Sequence, residues 1–271
     1  MDVKDKTIIV TGGGNGIGKA LCFRFAAEGA RVAVADLNGE TAQQTAEQIG
    51  GLAARCDVAN ESEIRHLVDR TTRHFGPIDL FCSNAGILAG EPGHAASASN
   101  ETWQANWDIH VMAHVYAARA VLPGMIDRGE GYFLQMISAA ALLSQIGDAA
   151  YSATKHAALG FAESLAITHG DDGIKVSAVC PQFVATSMLG YDEGDVIDAE
   201  QGIIGPDQVA DSVIAGLQEE RFLILPHPQV ETYRQNKAAD YDRWIRGMRR
   251  LRARIIDDLG TTDIKAVHKL V

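Results

Sequence analysis

The sequence has no C-x-x-C pair and no clustering of His and Cys at metal-ligand spacing. Its four cysteines, Cys22, Cys56, Cys82 and Cys180, stand far apart, each in an apolar run. No zinc site or redox dithiol is expected from them; they read as reduced core residues of a cytoplasmic protein. Long hydrophobic runs are lacking too. None approaches the roughly 18 residues of a membrane span, and the first strand begins within about five residues of Met1, so neither a spanning helix nor a signal peptide is expected. Positive charge is in deficit, with 24 Lys and Arg against 35 Asp and Glu and a net charge of -11. That disfavours nonspecific binding of nucleic acid, although a local basic patch remains compatible with it. What is left is ordinary globular composition, 46% hydrophobic and 22% charged over 271 residues, enough for one sizeable core in one domain.

What is present is organised around residues 6–36. Residues 6–10 are mostly β-branched and read as a buried strand. Gly12, Gly13, Gly14, Gly16 and Gly18 follow, then an apolar helix with Ile17, Leu21 and Phe25, closed by Gly29. A second strand over 31–36 ends in Asp36. Strand, glycine turn, helix, strand and terminal acid make the first βαβ unit of a dinucleotide-binding domain. Without Cβ atoms the turn can approach a pyrophosphate closely. The helix starting near Gly16 then aims free N–H groups and its positive dipole end at the phosphates. Asp36, eighteen residues after Gly18, is placed to accept hydrogen bonds from an adenosine ribose. A 2′-phosphate there would meet like charge with no Arg or Lys beside it, so NAD is favoured over NADP. The spacing, Gly12-x-x-x-Gly16-x-Gly18, departs from G-x-G-x-x-G.

Strand and helix patterns keep alternating. Helices are expected over 39–49, 61–74, 102–125, 149–169 and 206–217, and strands up to Cys56 and over 78–82, 132–137, 174–180 and 222–225. The fold class is therefore α/β, a single-domain Rossmann-like doubly wound parallel sheet with helices on both faces. Its ligand belongs beyond the carboxyl ends of the strands, where strand order reverses. Residues 187–205 are rich in glycine and acid, and read either as a flap over the site or as a solvated loop. Residues 229–258 form a C-terminal helical extension. Between Glu231 and Ile256 it carries eight basic residues against three acidic, with Tyr241, Trp244, Ile245, Met248, Leu251 and Ile255 at helical spacing. Nucleic acid, a membrane surface, a sister subunit or its own domain could each receive that face. The acidity of the rest of the chain favours the last two, so no nucleic-acid or membrane partner is expected.

Tyr151 and Lys155 lie at i and i+4, on one helical face. An ammonium beside a phenol favours the phenolate and lowers a pKa that otherwise lies near 10, as a base for an alcohol requires. Ser138 ends the strand over 132–137 and can bond a substrate oxygen. In these features the chain resembles the short-chain dehydrogenase/reductase family over roughly residues 5–226. Thr11-Gly-Gly-Gly-Asn-Gly-Ile-Gly18 is similar to the family's glycine motif, which accounts for the spacing. The resemblance implies that Gly12, Asn15, Gly16, Ile17 and Gly18 meet the pyrophosphate. It gives Asp36 and Leu37 the adenosine end, Asp57 and Val58 the adenine, and Asn84, Ala85 and Gly86 the central sheet beside the cofactor. Pro181, Val184 and Thr186 would grip the nicotinamide carboxamide, and Ser138, Tyr151 and Lys155 would be catalytic.

Two positions depart from the family's pattern. His110 stands where the family usually has an asparagine whose main chain helps hold a proton-relaying water. Its imidazole is a candidate for the relay, in which case His110→Asn alters the pH dependence, or else it fills space. Gln182 replaces the glycine that commonly follows Pro181. The activity implied is NAD-dependent interconversion of a secondary alcohol and its ketone, with Tyr151 held as phenolate by Lys155 and the positive nicotinamide ring. A 3-oxoacyl or other ketone reductase, or a non-catalytic NAD-binding protein, is the alternative. The substrate pocket is expected from residues 86–99, 140–147 (with Leu142, Leu143 and Ile146) and 188–191. These are mostly apolar and hold no arginine clamp, which suits a small-molecule cyclic or aromatic alcohol. A homotetramer built through the two long helices and the region of Phe222 is also implied.

Overall fold

The computed structural model describes residues 1–91, 93–192, 195, 202–268 and 270. Seven short strands form one sheet: β1 (Thr7–Thr11), β2 (Arg31–Asp36), β3 (Leu52–Arg55), β4 (Leu80–Ser83), β5 (Gly131–Met136), β6 (Ile174–Val179) and β7 (Leu223–Ile224). Their order is β3-β2-β1-β4-β5-β6-β7, and every pairing is parallel. Parallel strands need crossovers, which here are α1 (Gly16–Ala27), α2 (Gly39–Ile49), α3 (Glu61–Phe75), α4 (Asn100–Trp107), α5 (Ala113–Arg128), α6 (Ala140–Leu143), α7 (Ala149–His169) and α8 (Pro206–Gln218). Helices then cover both faces, which is why β1, β4 and β5 are buried at every position.

Alternation along each strand sorts the core into two layers. Ile9, Phe81 and Phe133 face α3, α5 and α7, meeting Ile64, Leu67, Ala117, Ala158 and Ala162. Ile8, Val10, Leu80 and Leu134 face α1, α2 and α8, meeting Leu21, Phe25, Ala42, Val209 and Val213. The four cysteines are free and buried. Chain order reverses between β1 and β4, so the crevice at the carboxyl edge opens there. Thr11 and Asn84 close its floor: Thr11 Oγ1 accepts from the Asn84 and Ala85 N–H groups at 3.0 and 3.2 Å, and Asn84 Nδ2 donates to the Thr11 carbonyl at 2.9 Å.

Some expectations need correction. The long helix begins at Asn100 and runs through a π-helical turn, Asp108–Met112, between α4 and α5. Residues Asn100–Arg128 form a 29-residue helix whose mean hydropathy reaches 1.2, so by length and composition it could span a membrane, contrary to the reading that no run approaches that length. Its alanines Ala113, Ala117 and Ala118 instead pack into the sheet's core. The expected strand over 222–225 is paired only at Leu223–Ile224. The C-terminal extension breaks into α9 (Gln229–Ala239) and α10 (Tyr241–Leu259) at Asp240, whose carboxylate caps α10 by accepting from Arg243 N at 2.8 Å. A last short helix, α11 (Ile264–Val267), follows. Along α10, Trp244, Met248 and Leu251 are half-buried and Ile255 is buried, while the arginines lie in solvent. Part of the apolar stripe thus faces the chain's own domain, while Tyr241 and Ile245 stay exposed. Of the flap expected over 187–205, residues 193–194 and 196–201 lie outside the described residues.

Thr11→Val keeps the shape of the side chain but leaves the Asn84 and Ala85 N–H groups without their acceptor. An unpaired buried group costs about 1–3 kcal/mol, so the unfolding free energy from urea titration should fall by that amount, as a lower midpoint with an unchanged slope.

Candidate active site

One cavity of about 380 Å³ runs along the carboxyl edge of the sheet from the glycine turn to the ends of β5 and β6. Gly12, Asn15, Gly16, Ile17, Gly18, Asp36, Leu37, Asp57, Val58, Asn84, Ala85, Gly86, Pro181, Val184 and Thr186 line it, together with Ser138, Tyr151 and Lys155. Every position expected at the cofactor is therefore on its wall. His110 is not; it lies behind the cavity, fully buried.

The glycine turn fits a dinucleotide for reasons visible in its packing. A methyl group on Gly18 would collide with the Gly12 carbonyl oxygen, and Gly12 itself holds φ at +64°. Asn15 precedes α1 without a capping bond from its side chain, so the first-turn N–H groups are left for a phosphate. Asp36 ends β2 with Oδ2 accepting from Gly14 N at 2.9 Å and Oδ1 from Asn38 N at 3.0 Å. These two bonds fix the carboxylate at the rim, where a 2′-phosphate would face it. The turn, the open helix end and the placed acid together suit NAD.

At the other end α7 presents Tyr151 and Lys155. Asp148 caps that helix through Tyr151 N at 3.0 Å, while its second oxygen accepts from Gly90 N at 2.8 Å. Lys155 is 3% exposed; its Nζ donates to the Met136 carbonyl at 3.2 Å and lies 5.5 Å from the centre of the Tyr151 ring. The expected phenolate draws on the positive nicotinamide ring as well as on the lysine, and the protein alone supplies only the lysine. Burial pushes the Tyr151 phenol up to about 12, with the neighbouring Ser138 hydroxyl drawing it back. Burial also pushes the Lys155 ammonium down to about 8. Burial is the largest cause in both. Ser138 is itself steady, its Oγ accepting from Ala140 N at 3.0 Å.

His110 sits in the π-helical turn, edge-on to Tyr151 with ring centres 5.2 Å apart. Its Nε2 accepts from Ile87 N at 3.1 Å, so the proton is on Nδ1, which donates to Thr154 Oγ1 at 3.0 Å. Thr154 passes its own proton to the Ala150 carbonyl at 2.8 Å. Both ring nitrogens are occupied, and burial followed by the charge of Lys155 pushes the imidazole down to about 2. The ring braces the loop after β4 against α7 as a neutral group.

Sequence reasoning missed several residues here. His227 clamps the segment after β6: its Nδ1 accepts from Gln182 N at 3.0 Å and its Nε2 donates to the Phe183 carbonyl at 3.1 Å. Gln182 thus takes part through its backbone in a clamp that no spacing announced. Ile109 and Ile264 also line the cavity from outside the expected ranges, while Ile87, Leu88 and Gln145 line it from within them. Leu142 and Leu143, expected there, turn away into a cluster with Val230 and Trp244, and Ile146 does not reach the wall either.

A sequence model described as short chain dehydrogenase matches residues 6–195. The chain is 39% identical over 192 residues to 2,5-dichloro-2,5-cyclohexadiene-1,4-diol dehydrogenase of Sphingobium indicum, covering 69% of this chain and 76% of that protein. It is 31% identical to 1-deoxy-11-beta-hydroxypentalenate dehydrogenase of Streptomyces avermitilis over 86% of this chain and 88% of the other. A short chain dehydrogenase/reductase from Burkholderia phymatum, solved in complex with NAD, superposes with a TM-score of 0.80 at 24% identity, over 89% of this chain and 96% of its own. The chain belongs to the short-chain dehydrogenase family. It is an oxidoreductase of the dehydrogenase type.

Two substitutions test this geometry. Asp36→Asn removes the charge that a 2′-phosphate meets. The ratio of kcat/KM with NADP to that with NAD should rise by about tenfold or more, since tenfold corresponds to about 1.4 kcal/mol. His110→Asn should leave the shape of the kcat profile between about pH 6 and 10 unchanged, because the native ring does not titrate there; a displaced limb would show that it carries a proton.

Proposed function

We propose that this protein oxidises apolar, ring-bearing secondary alcohols, with Tyr151 as the base, Ser138 as the donor to the reacting oxygen and Lys155 as the charge beside the base. The observation carrying this reading is that the Tyr151 phenol and the Ser138 hydroxyl open into the same cavity as the glycine turn and Asp36. The cavity's apolar wall includes Ile87, Leu88, Ile109, Phe183, Met188, Leu189 and Ile264, and among the described residues no arginine or lysine stands there to take a carboxylate or phosphate. A cyclohexadienediol and a hydroxypentalenate, in the names of two relatives, are alcohols of the kind such a wall suits.

Gly12, Gly16, Gly18 and the start of α1 would hold the pyrophosphate, Asp36 the ribose, and Pro181, Val184 and Thr186 the nicotinamide end. When bound, the oxidised nicotinamide supplies a positive ring and a carbon that accepts hydride. The rest is the work of the chain. Ser138 orients the alcohol oxygen, Tyr151 takes its proton, and Lys155 stabilises the charge left on the phenol. In reduction the phenol returns that proton to the carbonyl oxygen. Preorganised donors held out of water do this without reorganising.

A cytoplasmic setting accords with four buried, unpaired cysteines. Assembly as a homotetramer is supported by an apolar groove between α5 and α7, with Val115, Leu122, Phe161 and Leu165 along it, and by Ile167, which is 83% exposed beside it. A mass measured in solution tests that state.

Tyr151→Phe should retain NAD binding by calorimetry while kcat falls by about 10²–10⁴. Undiminished turnover would remove the tyrosine from the chemistry. Since oxidation needs the phenolate and reduction the phenol, kcat/KM for the alcohol should climb with pH from neutrality upward, and kcat/KM for the ketone should fall over the same range.

A further inference from the structure

The cavity has a wall supplied by a part of the chain that the family match, ending at residue 195, does not reach. Past Gly260, where α10 stops, the backbone turns back toward the site. Thr262 lies against Gly147, where φ is +83° and a methyl group would stand 2.8 Å from Thr262 Cβ, so a glycine is what lets the tail approach. Asp263 caps α11 by accepting from Lys265 N at 3.0 Å. Four residues are too few for a helix to hold itself in water, so α11 stays because it is anchored. Ile264 packs with Phe183, Leu189 and Ile203 in an apolar cluster separate from the two core layers. His268, fully buried, fastens the end: its Nδ1 donates to the Ile264 carbonyl at 2.9 Å and its Nε2 accepts from the Tyr191 hydroxyl at 3.1 Å. Tyr191 follows Met188 and Leu189, which border the cavity with Ile264.

We propose that Ile264, held in place by the bond between His268 and Tyr191, is the specificity-determining wall of the substrate pocket and sets how large an apolar ring system the site takes. This rests on the reading of the site as one that oxidises ring-bearing secondary alcohols. Among the described residues, tail and loop share no sheet register; what joins them is the side-chain hydrogen bond from Tyr191 to His268, the ring contacts of His268 with Tyr191 and Phe183, and a small apolar cluster. A residue in that position touches the substrate's far side and leaves the reacting oxygen to Ser138 and Tyr151.

The test compares cyclohexanol with the fused-ring alcohol 2-decalol, using NAD and the full chain. Ile264→Ala should raise the kcat/KM ratio of 2-decalol to cyclohexanol by about tenfold or more, the scale that a few methylenes carry in an apolar pocket. Ile264→Phe should lower it, and KM for NAD should stay put in both. Tyr191→Phe, which removes only the hydroxyl that His268 receives, should move the ratio as Ile264→Ala does but by less, and serves if either Ile264 variant fails to fold. A ratio unchanged within about twofold across the folded variants overturns the wall. Should the native protein bind NAD yet oxidise neither alcohol, the alcohol reading fails by itself. Calorimetric binding of 2-decalone and cyclohexanone to the same variants then reads the wall, with the same ratio deciding.

Discussion

The rest of the site depends on how Tyr151 and Lys155 are held relative to water, the lysine buried and the tyrosine partly buried at the cavity wall. A buried phenol resists losing its proton and a buried ammonium resists keeping one, and here the phenol rises to about 12 while the ammonium falls to about 8. The pair is thereby moved toward two neutral groups. Ser138, whose hydroxyl draws the phenol back down, is the nearest counterweight the chain itself provides. The two histidines on the same side are silent: burial holds His110 at about 2 and His114 at about 4, so neither competes as a cation with Lys155.

Such a pair is useful only if it is held still, and the hydrogen bonds around it join three pieces of chain that the sheet does not. Asp148 ties the start of α7 to Gly90, and Glu91 returns the bond by accepting from Ala149 N at 3.0 Å. His110 ties Ile87 to Thr154 one helical turn below the tyrosine. The loop after β4, the π-helical turn and α7 are therefore cross-linked by side-chain hydrogen bonds. The π-helical turn has a local reason to exist, since it brings the imidazole of His110 to a backbone N–H on one side and a hydroxyl on the other. Such insertions gather at functional sites, and this one lies against the tyrosine.

How much of this was legible in the sequence follows from the range of the physics involved. The glycine turn, Asp36 and the Tyr151–Lys155 pair announce themselves because their requirements are local: no Cβ at a turn, a carboxylate at a strand end, two groups one helical turn apart. Parallel topology followed from the alternation of short apolar strands and helices. The direction of the tyrosine's shift did not, because sequence shows neighbouring charge but not desolvation, and desolvation is the larger effect here. The π-helical turn leaves no trace in hydrophobic spacing. His227 and His268 look like isolated histidines until the fold brings Gln182 and Tyr191 to them. The break between α9 and α10 was within reach, since Asp240 is a good N-cap, but the even run of basic residues concealed it.

The two halves of the site differ in how they are fixed. The cofactor side hangs on the carboxyl ends of β1, β2 and β4, whose register is set by an unbroken ladder and by the bonds between Thr11 and Asn84. A shift there would misplace the whole sheet. The substrate side hangs on segments with no common register: the residues after β4, the stretch around Leu189 and the returning tail at Ile264. A substitution on that side disturbs a few apolar contacts and one hydrogen bond, which stand apart from both core layers. Reaction type in this fold is thus tied to elements that cannot move without unfolding. Substrate range is tied to elements that can change at small cost, and it is there that a chain of this class acquires a preference of its own.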